Sequence, residues 1–356
     1  MTNRERFNRV MRYQPVDRLP MIPFEPYEQY GVEQWHKEGL PAGVSPDAHF
    51  GIDRIRYAPV HLYPIPPFEQ KILSETETEY VQIDGLGTTV RRHKAAPGMY
   101  YGHIAHPVKN LADWKENSRR FEASAPGRIP ADMDRIAAEL NACESPVGIC
   151  LYPFFFRLGF YALGMERFMV AFYDQPELIH AMFSFWSDLV LKTIRPALAS
   201  TRIDVAIFTE DLAYKAAPHI SPRLYREFWL PHQDSIVAEF KRHDVPLISM
   251  WTAGNIVPLL PMLMEHGFNA TWPLEQMAGM DPVMLRKQFG RELRLGGGIA
   301  KEALIAGPVA IDREIERLMP VIRDGGFIPA VDDCPPPEVS LKTFAYYIEA
   351  LRKIRV

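Results

Sequence analysis

The 356-residue sequence predicts an α/β fold, a (β/α)8 TIM barrel that carries an inserted β-hairpin region near its N-terminus. The first observation is a repeated pattern, in which a short apolar run ends in polar residues and a predicted helix follows. The second is the length, which suits one barrel domain over residues 1–356. Because the carboxyl ends of barrel strands meet at one face that carries the chemistry, the pattern also indicates where site residues should lie.

The first third of the chain contains both barrel elements and the insertion. A helix is predicted at residues 5–12, a first strand at 19–24 and a second helix at 31–39. Alternating β-formers at residues 79–83 and 88–93 flank a glycine-rich turn, which is typical of a hairpin. We therefore expect an antiparallel excursion at about residues 53–107, within the single domain.

The remaining two thirds alternate more regularly. Strands are predicted at residues 147–151, 204–208, 246–250, 268–273, 293–295 and 327–331. Helices are predicted at residues 132–142, 165–173, 176–195, 222–243, 255–266, 281–289, 311–323 and 340–353. This order favours a parallel sheet covered by helices.

The composition gives no reason to expect binding to nucleic acid or membranes. The net charge is −4 and the pI is near 6.3, so no strong positive field attracts nucleic acid. The 3 cysteines do not suggest a disulfide framework, which favours a reducing compartment. The N-terminus shows no apolar signal core, and no apolar run is long enough to span a bilayer. We expect a cytoplasmic protein.

Carboxylates directly follow two predicted strands. Glu210 and Asp211 follow the strand at residues 204–208, and adjacent strand residues point to opposite faces, so one of the two should face the cleft. Glu275 follows the strand at residues 268–273, and His219 precedes the helix at residues 222–243. We predict catalytic roles for these four residues, with His219 as a proton donor or a ligand. For the carboxylates, helix capping or loop bracing is the alternative.

Asp332-Asp333-Cys334 places two carboxylates and a thiol at the end of the last predicted strand. Oxygen and sulfur atoms of this kind are zinc ligands. A zinc site built from Glu210, Glu275, Asp333 and Cys334 is therefore one interpretation. In the alternative, Cys334 is a small packed residue and Asp333 caps the turn.

Aromatic residues are dense near the predicted strand ends. Such side chains at the open end of a barrel would form an apolar wall for an aromatic or methylated ligand, and could hold a quaternary ammonium by cation–π contact. The predicted substrate-binding residues are Glu25, Tyr27, Tyr152, Phe154, Trp251, Asn255 and Trp272.

Three glycines follow the strand at residues 293–295, namely Gly296, Gly297 and Gly298. They could let the backbone approach a phosphate, or they could serve close packing at a tight strand-to-helix turn. The segment lacks the Lys-Ser/Thr of a P-loop and the spacing of a dinucleotide site.

Motifs spread over nearly the whole chain resemble the uroporphyrinogen decarboxylase superfamily. They are Arg4-Glu5-Arg6-Phe7, Pro15-Val16-Asp17-Arg18-Leu19-Pro20, Glu210-Asp211-Leu212, Ile220-Ser221-Pro222, Tyr225-Arg226-Glu227-Phe228, Gly254-Asn255-Ile256, Pro273-Leu274-Glu275, Gly297-Gly298-Ile299 and Gly325-Gly326-Phe327-Ile328-Pro329. The resemblance implies one distorted TIM barrel with a deep cleft at the carboxyl ends of the strands.

The chain departs from both well-known branches of that superfamily. Uroporphyrinogen decarboxylases carry an Arg-Gln-Ala-Gly-Arg segment after the first strand, whereas this chain has Glu25 and Glu28 there and no arginine. Cobamide-dependent methyltransferases bind zinc through a His-x-Cys pair, and the matching positions here are Trp251 and Ala253. The chain is more similar to relatives that lack this pair, several of which resemble components of corrinoid-dependent demethylation systems.

The resemblance implies a methyltransferase that moves a methyl group from a small O- or N-methyl compound to a corrinoid protein. The corrinoid would be carried by that partner, zinc is a candidate metal, and a homodimer is a further expectation. Two alternatives stay open. One is a decarboxylase of a tetrapyrrole or another carboxylated substrate, and the other is a non-catalytic tetrapyrrole-binding protein.

Overall fold

The computed structural model describes residues 1–24, 32–94 and 102–355. The strands in these ranges are β1 (Arg56–Tyr57), β2 (Lys71–Glu75), β3 (Glu79–Ile83), β4 (Thr89–His93), β5 (Gly102–Ala105), β6 (Val147–Leu151), β7 (Val205–Thr209), β8 (Leu247–Trp251), β9 (Ala270–Leu274), β10 (Arg294–Ile299) and β11 (Phe327–Val331). They form a parallel sheet of 7 strands in the order β1-β6-β7-β8-β9-β10-β11, and an antiparallel sheet of 4 strands, β2-β3-β4-β5.

Helices separate the strands of the parallel sheet. They are α1 (Asn3–Met11), α2 (Val32–Lys37), α3 (Pro46–Phe50), α4 (Leu111–Asn117), α5 (Met133–Ala142), α6 (Phe155–Leu163), α7 (Met165–Asp174), α8 (Pro176–Ser200), α9 (Pro222–Leu224), α10 (Leu230–Arg242), α11 (Leu260–Glu265), α12 (Pro282–Phe289), α13 (Lys301–Ala306), α14 (Pro308–Asp324) and α15 (Leu341–Arg352). A π-helical segment, Tyr225–Trp229, joins α9 to α10. Within the described ranges, no helix combines the length and hydrophobicity needed to cross a lipid bilayer.

The parallel sheet curls around an apolar interior, as the alternation of β7 shows. Val205 and Ile207 belong to a smaller buried cluster that includes Phe7 of α1, whereas Ala206 and Phe208 belong to the larger cluster formed with the outer helices. Successive strand residues point to opposite faces, so odd-numbered residues of β7 face the barrel interior and even-numbered ones face the helices. Helix α1 covers the amino ends of the strands.

The predicted first strand at residues 19–24 is wrong, because the structure shows no strand there. Pro20 and Pro23 have no N–H group to donate to a strand ladder, which is the physical reason. The segment still fills part of the barrel, since Ile22 and Phe24 pack in the interior cluster and the Asp53 amide donates to the Met21 carbonyl at 2.9 Å. The described part of the barrel therefore has 7 parallel strands where 8 were predicted.

The predicted antiparallel excursion is confirmed as the sheet β2–β5. Its assigned start was too early, because β1 pairs in parallel with β6 and belongs to the main sheet. Thr88 anchors the excursion, since its hydroxyl donates to the Tyr161 carbonyl of α6 at 3.2 Å. The inserted sheet therefore rests on the helix that follows β6.

The three glycines lie inside β10, and not in a turn after it. Gly297 has a φ of +96°, and a Cβ at that position would lie 2.8 Å from the Leu274 backbone nitrogen in β9. A Cβ on Gly296 would lie 2.5 Å from the Phe24 ring. Close packing between backbone and neighbours therefore accounts for these glycines.

Candidate active site

Glu210 and Asp211 lie on opposite sides of the strand that precedes them. Glu210 continues the outward-facing series of β7 and is fully buried, with 0% exposure. Asp211 continues the inward-facing series and is partly exposed at the carboxyl end of the barrel. Asp211 is therefore the member of this pair that can meet a ligand.

An arginine is held between two aromatic rings at this end of the barrel. The guanidinium of Arg157 lies 4.9 Å from the Tyr152 ring centre and 5.3 Å from the Trp251 ring centre. One of its Nη atoms lies 3.0 Å from Asp211 Oδ2. The Tyr152 hydroxyl lies 2.7 Å from that of Tyr161 on α6. These residues bring flat aromatic surface and an ion pair together at the carboxyl end of the barrel, where the family resemblance predicts a cleft.

The surroundings of Asp211 raise its pKa above the ordinary value of an aspartate. Desolvation in the cleft raises the pKa of Asp211 above its ordinary value, the positive charge of Arg157 opposes that increase, and the negative charge of Glu275 adds to it. Asp211 therefore combines partial exposure with a pKa shifted toward the protonated form. These are properties of a general acid.

Glu210 holds two elements together behind the cleft. Its Oε2 accepts a hydrogen bond from the Phe156 amide at 2.7 Å, and its Oε1 accepts one from the Trp229 indole at 2.9 Å. Phe156 lies in the first turn of α6, where amide groups have no partner within the helix. Burial raises the pKa of Glu210 to about 8, and these two donors offset only part of the effect. Glu210 thus positions the helix that carries Arg157, and in this structure it has no surface from which to contact a ligand.

The other predicted acids bind backbone and lysine groups. Glu275 Oε2 accepts from the Gly254 amide at 2.6 Å, which fixes the loop after β8. Asp333 accepts from the Lys301 ammonium and, at 2.7 Å, from the Cys334 amide. Cys334 is buried, with 4% exposure. These contacts match the bracing and turn-capping alternatives for Glu275 and Asp333.

Asp332, which precedes the predicted zinc ligands, joins three strand ends. Its oxygens accept from the Gln276 amide at 3.1 Å and the Lys301 amide at 2.9 Å. Burial raises the pKa of Asp332 to about 7. Asp332 therefore ties together the segments that follow β9, β10 and β11.

The predicted zinc ligands do not gather into a metal site. Among residues 1–24, 32–94 and 102–355, no group of three or more His, Cys, Asp or Glu side chains is arranged to hold a metal ion. Each of the carboxylates Glu210, Glu275 and Asp333 is already engaged by protein donors. In the described ranges these side chains form no metal site, and zinc binding stays a prediction from the sequence.

The predicted aromatic binding residues fall into two groups, those that face Arg157 and those in the hydrophobic core. Tyr152 and Trp251 are partly exposed and face Arg157, as described above. Phe154 has 0% exposure and its ring lies 4.2 Å from that of Phe155, while Trp272 has 1% exposure and packs on Phe24 in the interior. Phe154 and Trp272 therefore belong to the hydrophobic core in this structure.

Four further predicted residues make other contacts or lie outside the described residues. The His219 ring stacks on Phe156 at 5.5 Å, and burial lowers the pKa of His219, which favours its neutral form. Asn255 Oδ1 accepts from the Val257 amide at 3.1 Å, so it caps its own turn. Glu25 and Tyr27 lie outside the described residues.

Arg157 is not among the site residues predicted from the sequence. A single arginine in the otherwise apolar segment Phe154–Leu163 was the available signal. Cys150 was also missed, although it has the same strand face as Tyr152. Its Sγ lies 3.4 Å from the Thr209 hydroxyl, and burial raises the pKa of Cys150, which keeps it a neutral thiol.

The family model described as "Uroporphyrinogen decarboxylase (URO-D)" matches residues 84–354, which is most of the chain. The chain belongs to the uroporphyrinogen decarboxylase family. The resemblance drawn from its motifs is thereby confirmed.

Curated relatives of the chain are enzymes of two kinds. The protein "Methylcobamide:CoM methyltransferase MtbA" of Methanosarcina acetivorans is 26% identical over 271 residues, which cover 75% of each chain. The "Uroporphyrinogen decarboxylase" of Rhodococcus erythropolis is 24% identical over 230 residues, which cover 60% of this chain and 58% of that one. Because both are enzymes, these relatives support an enzymatic activity for this chain.

A solved structure supports the fold. A methyltransferase from Methanosarcina mazei superposes with a TM-score of 0.59 at 17% identity, and the match covers 99% of this chain and 98% of the other. At this identity the likeness concerns the fold alone. It agrees with a barrel-like α/β architecture along the whole chain.

Proposed function

We propose that this chain is a methyltransferase that takes a methyl group from a small O- or N-methyl compound and delivers it to the corrinoid of a partner protein. The observation that carries the proposal is the pairing of a partly exposed acid, Asp211, with the flat aromatic surfaces of Tyr152 and Trp251. The methyltransferase relatives, matched over 75% of both chains, support the same reaction class.

The chemistry requires a proton donor beside the methyl donor. When a methyl group departs from oxygen or nitrogen, the atom left behind is a better leaving group if it gains a proton. Asp211 would supply that proton from its protonated fraction, which its raised pKa increases. Arg157, at 3.0 Å, fixes the direction of the carboxyl group. Each transfer leaves Asp211 deprotonated, and solvent reprotonates it before the next.

The aromatic side chains would position the substrate. Tyr152 and Trp251 offer broad apolar faces with little freedom, since Trp251 Nε1 donates to the Phe24 carbonyl at 3.0 Å and the Tyr152 hydroxyl is bound by Tyr161. Rigid faces of this kind hold a methyl-bearing group in line with its acceptor. The corrinoid of the partner would supply the cobalt that receives the methyl group.

Decarboxylation is the second candidate, and Arg157 is the observation that favours it. An arginine in the cleft could hold a substrate carboxylate. However, Arg157 is already paired with Asp211, and Glu275 adds a second negative charge nearby. A substrate with many carboxylates would be repelled by these acids. We therefore place methyl transfer first.

The direct test uses purified protein, free cob(I)alamin as a stand-in for the partner's corrinoid, and a panel of methoxy and methylamine compounds. Methylcobalamin formation is followed by its absorbance. At least one compound should be demethylated, and Asp211→Asn should lower kcat by about 100-fold or more without changing the melting temperature. Loss of CO2 from a carboxylated tetrapyrrole, with no methylation of cobalamin, would establish the decarboxylase alternative instead.

A further inference from the structure

A basic groove lies at the amino ends of the barrel strands, far from the ion pair of Asp211. Its volume is about 570 Å³. Side chains of α1 form one wall, and the segments that precede β6 and β7 form the other. Arg202 lies in the groove and precedes β7, whereas Asp211 follows β7, so the strand separates the two places.

The floor of the groove is fixed by buried polar contacts. Arg4 Nε lies 2.8 Å from Asp204 Oδ2, and Asn8 donates to the other oxygen of Asp204 at 2.8 Å. Arg4 also donates to the Arg202 carbonyl at 2.7 Å, while the Arg202 amide donates to Asn141 Oδ1 at 2.8 Å. The backbone that carries Arg202 is therefore held in one place relative to α1.

Three exposed guanidinium groups line this fixed groove without neutralisation. In the described part of the chain, Arg9, Arg12 and Arg202 form no ion pair, and Arg9 donates only to a backbone carbonyl. Glu5 is the acid in the lining, and its Oε2 is bound to the Thr2 amide at 2.9 Å in the N-terminal cap of α1. Like charges that share a groove repel each other, so this arrangement does not serve the stability of the fold.

We propose that this groove binds a polyvalent anion of the phosphate class, such as pyrophosphate or the phosphate chain of a nucleotide. Planar guanidinium groups match phosphate oxygens with paired hydrogen bonds, which favours phosphate at a site built from arginines. The volume suits a small molecule of nucleotide size. The chain as a whole carries a net charge of −4, so a local cluster of unpaired arginines stands out from its surroundings.

The test is isothermal titration of the full-length protein with inorganic pyrophosphate, at low ionic strength in a phosphate-free buffer. We expect saturable binding at one site. Arg12→Ala and Arg202→Ala should each weaken it roughly tenfold, because each removes a charge-assisted hydrogen bond. Arg313→Ala, which changes an exposed arginine on α14, is the matched control. Circular dichroism confirms that the variants are folded.

Two results would overturn the proposal. The first is the absence of saturable binding, or an equal loss of affinity in Arg313→Ala, either of which means that the groove is only part of a diffuse surface charge. The second is tighter binding of citrate than of pyrophosphate, which would replace the phosphate class with a carboxylate class.

Discussion

Replacing Glu210 by Gln should change how the stability of the protein depends on pH. Glu210 is fully buried, and its two oxygens accept from the Phe156 amide and the Trp229 indole. A glutamine side chain keeps the shape but has only one oxygen, so its amide group must face one of these two donors. Leaving a buried donor unsatisfied costs about 1–3 kcal/mol of unfolding free energy.

The titration of Glu210 has the opposite effect on the comparison, because it lowers the unfolding free energy of the wild type as the pH rises toward neutral. Its pKa rises from 4.5 to about 8 on folding, because burial disfavours the charged form. Below pH 4.5 both states are protonated and the group has no effect. Between these values the folded state binds more protons than the unfolded state, so the unfolding free energy falls by about 1.4 kcal/mol for each unit of increasing pH. Glutamine does not titrate and lacks this loss.

The two effects predict converging stability curves. At pH near 4.5 the Glu210→Gln variant should be less stable than the wild type by roughly 1–3 kcal/mol, because titration of Glu210 has not yet destabilised the wild type. Two pH units higher, the wild type has lost up to about 3 kcal/mol that the variant has not, so the difference should vanish or change sign.

Urea unfolding at a series of pH values, followed by tryptophan fluorescence and circular dichroism, measures this difference. Glu265→Gln, on the exposed surface at the end of α11, is the control and should run parallel to the wild type. Parallel curves for Glu210→Gln would show that Glu210 does not titrate in this range. If Glu210→Gln were as stable as the wild type at every pH but inactive in methyl transfer, Glu210 would act in catalysis.

Three further predictions concern the barrel and the cleft. Gly297→Ala should lower the unfolding free energy by about 1–3 kcal/mol, because a Cβ would lie 2.8 Å from the Leu274 nitrogen at a φ of +96°; unchanged urea unfolding would contradict this. Arg157→Gln removes the positive charge that lowers the pKa of Asp211, so methyl transfer that needs protonated Asp211 should persist to higher pH, and an unshifted pH–rate profile would count against that acid. Trp251→Leu should raise KM more than it lowers kcat, whereas Trp251→Phe should retain most of the affinity for substrate. An equal loss of affinity in the two variants would argue against an aromatic wall.

The sequence by itself determined the alternating α/β order and the bounds of most strands. The strands at residues 147–151 and 327–331 were predicted to the residue, because long apolar runs between turn signals have few other interpretations. The motifs also determined the family, which the family model then confirmed. The local sequence pattern is sufficient to predict strand bounds and family motifs, because these features depend on residues that are neighbours along the chain.

The prediction at residues 19–24 failed for a reason that the sequence did contain. Pro20 and Pro23 remove the donors that a strand ladder needs, and the apolar residues between them are used for packing in the barrel interior. Hydrophobicity alone cannot distinguish an extended packed segment from a hydrogen-bonded strand.

Only the tertiary structure showed which of the candidate site residues contact each other. The sequence placed Glu210 and Asp211 at a strand end and required one of them to face the cleft, but only the curled sheet decided that Asp211 is the one. Arg157 reaches Asp211 from a helix more than 50 positions earlier, at 3.0 Å, and no local pattern encodes that distance. Likewise, the sequence named four zinc ligands, and only the fold shows which backbone and side-chain donors their carboxylates contact. Which groups converge is set by long-range packing, and a pattern of neighbours along the chain carries no information about it.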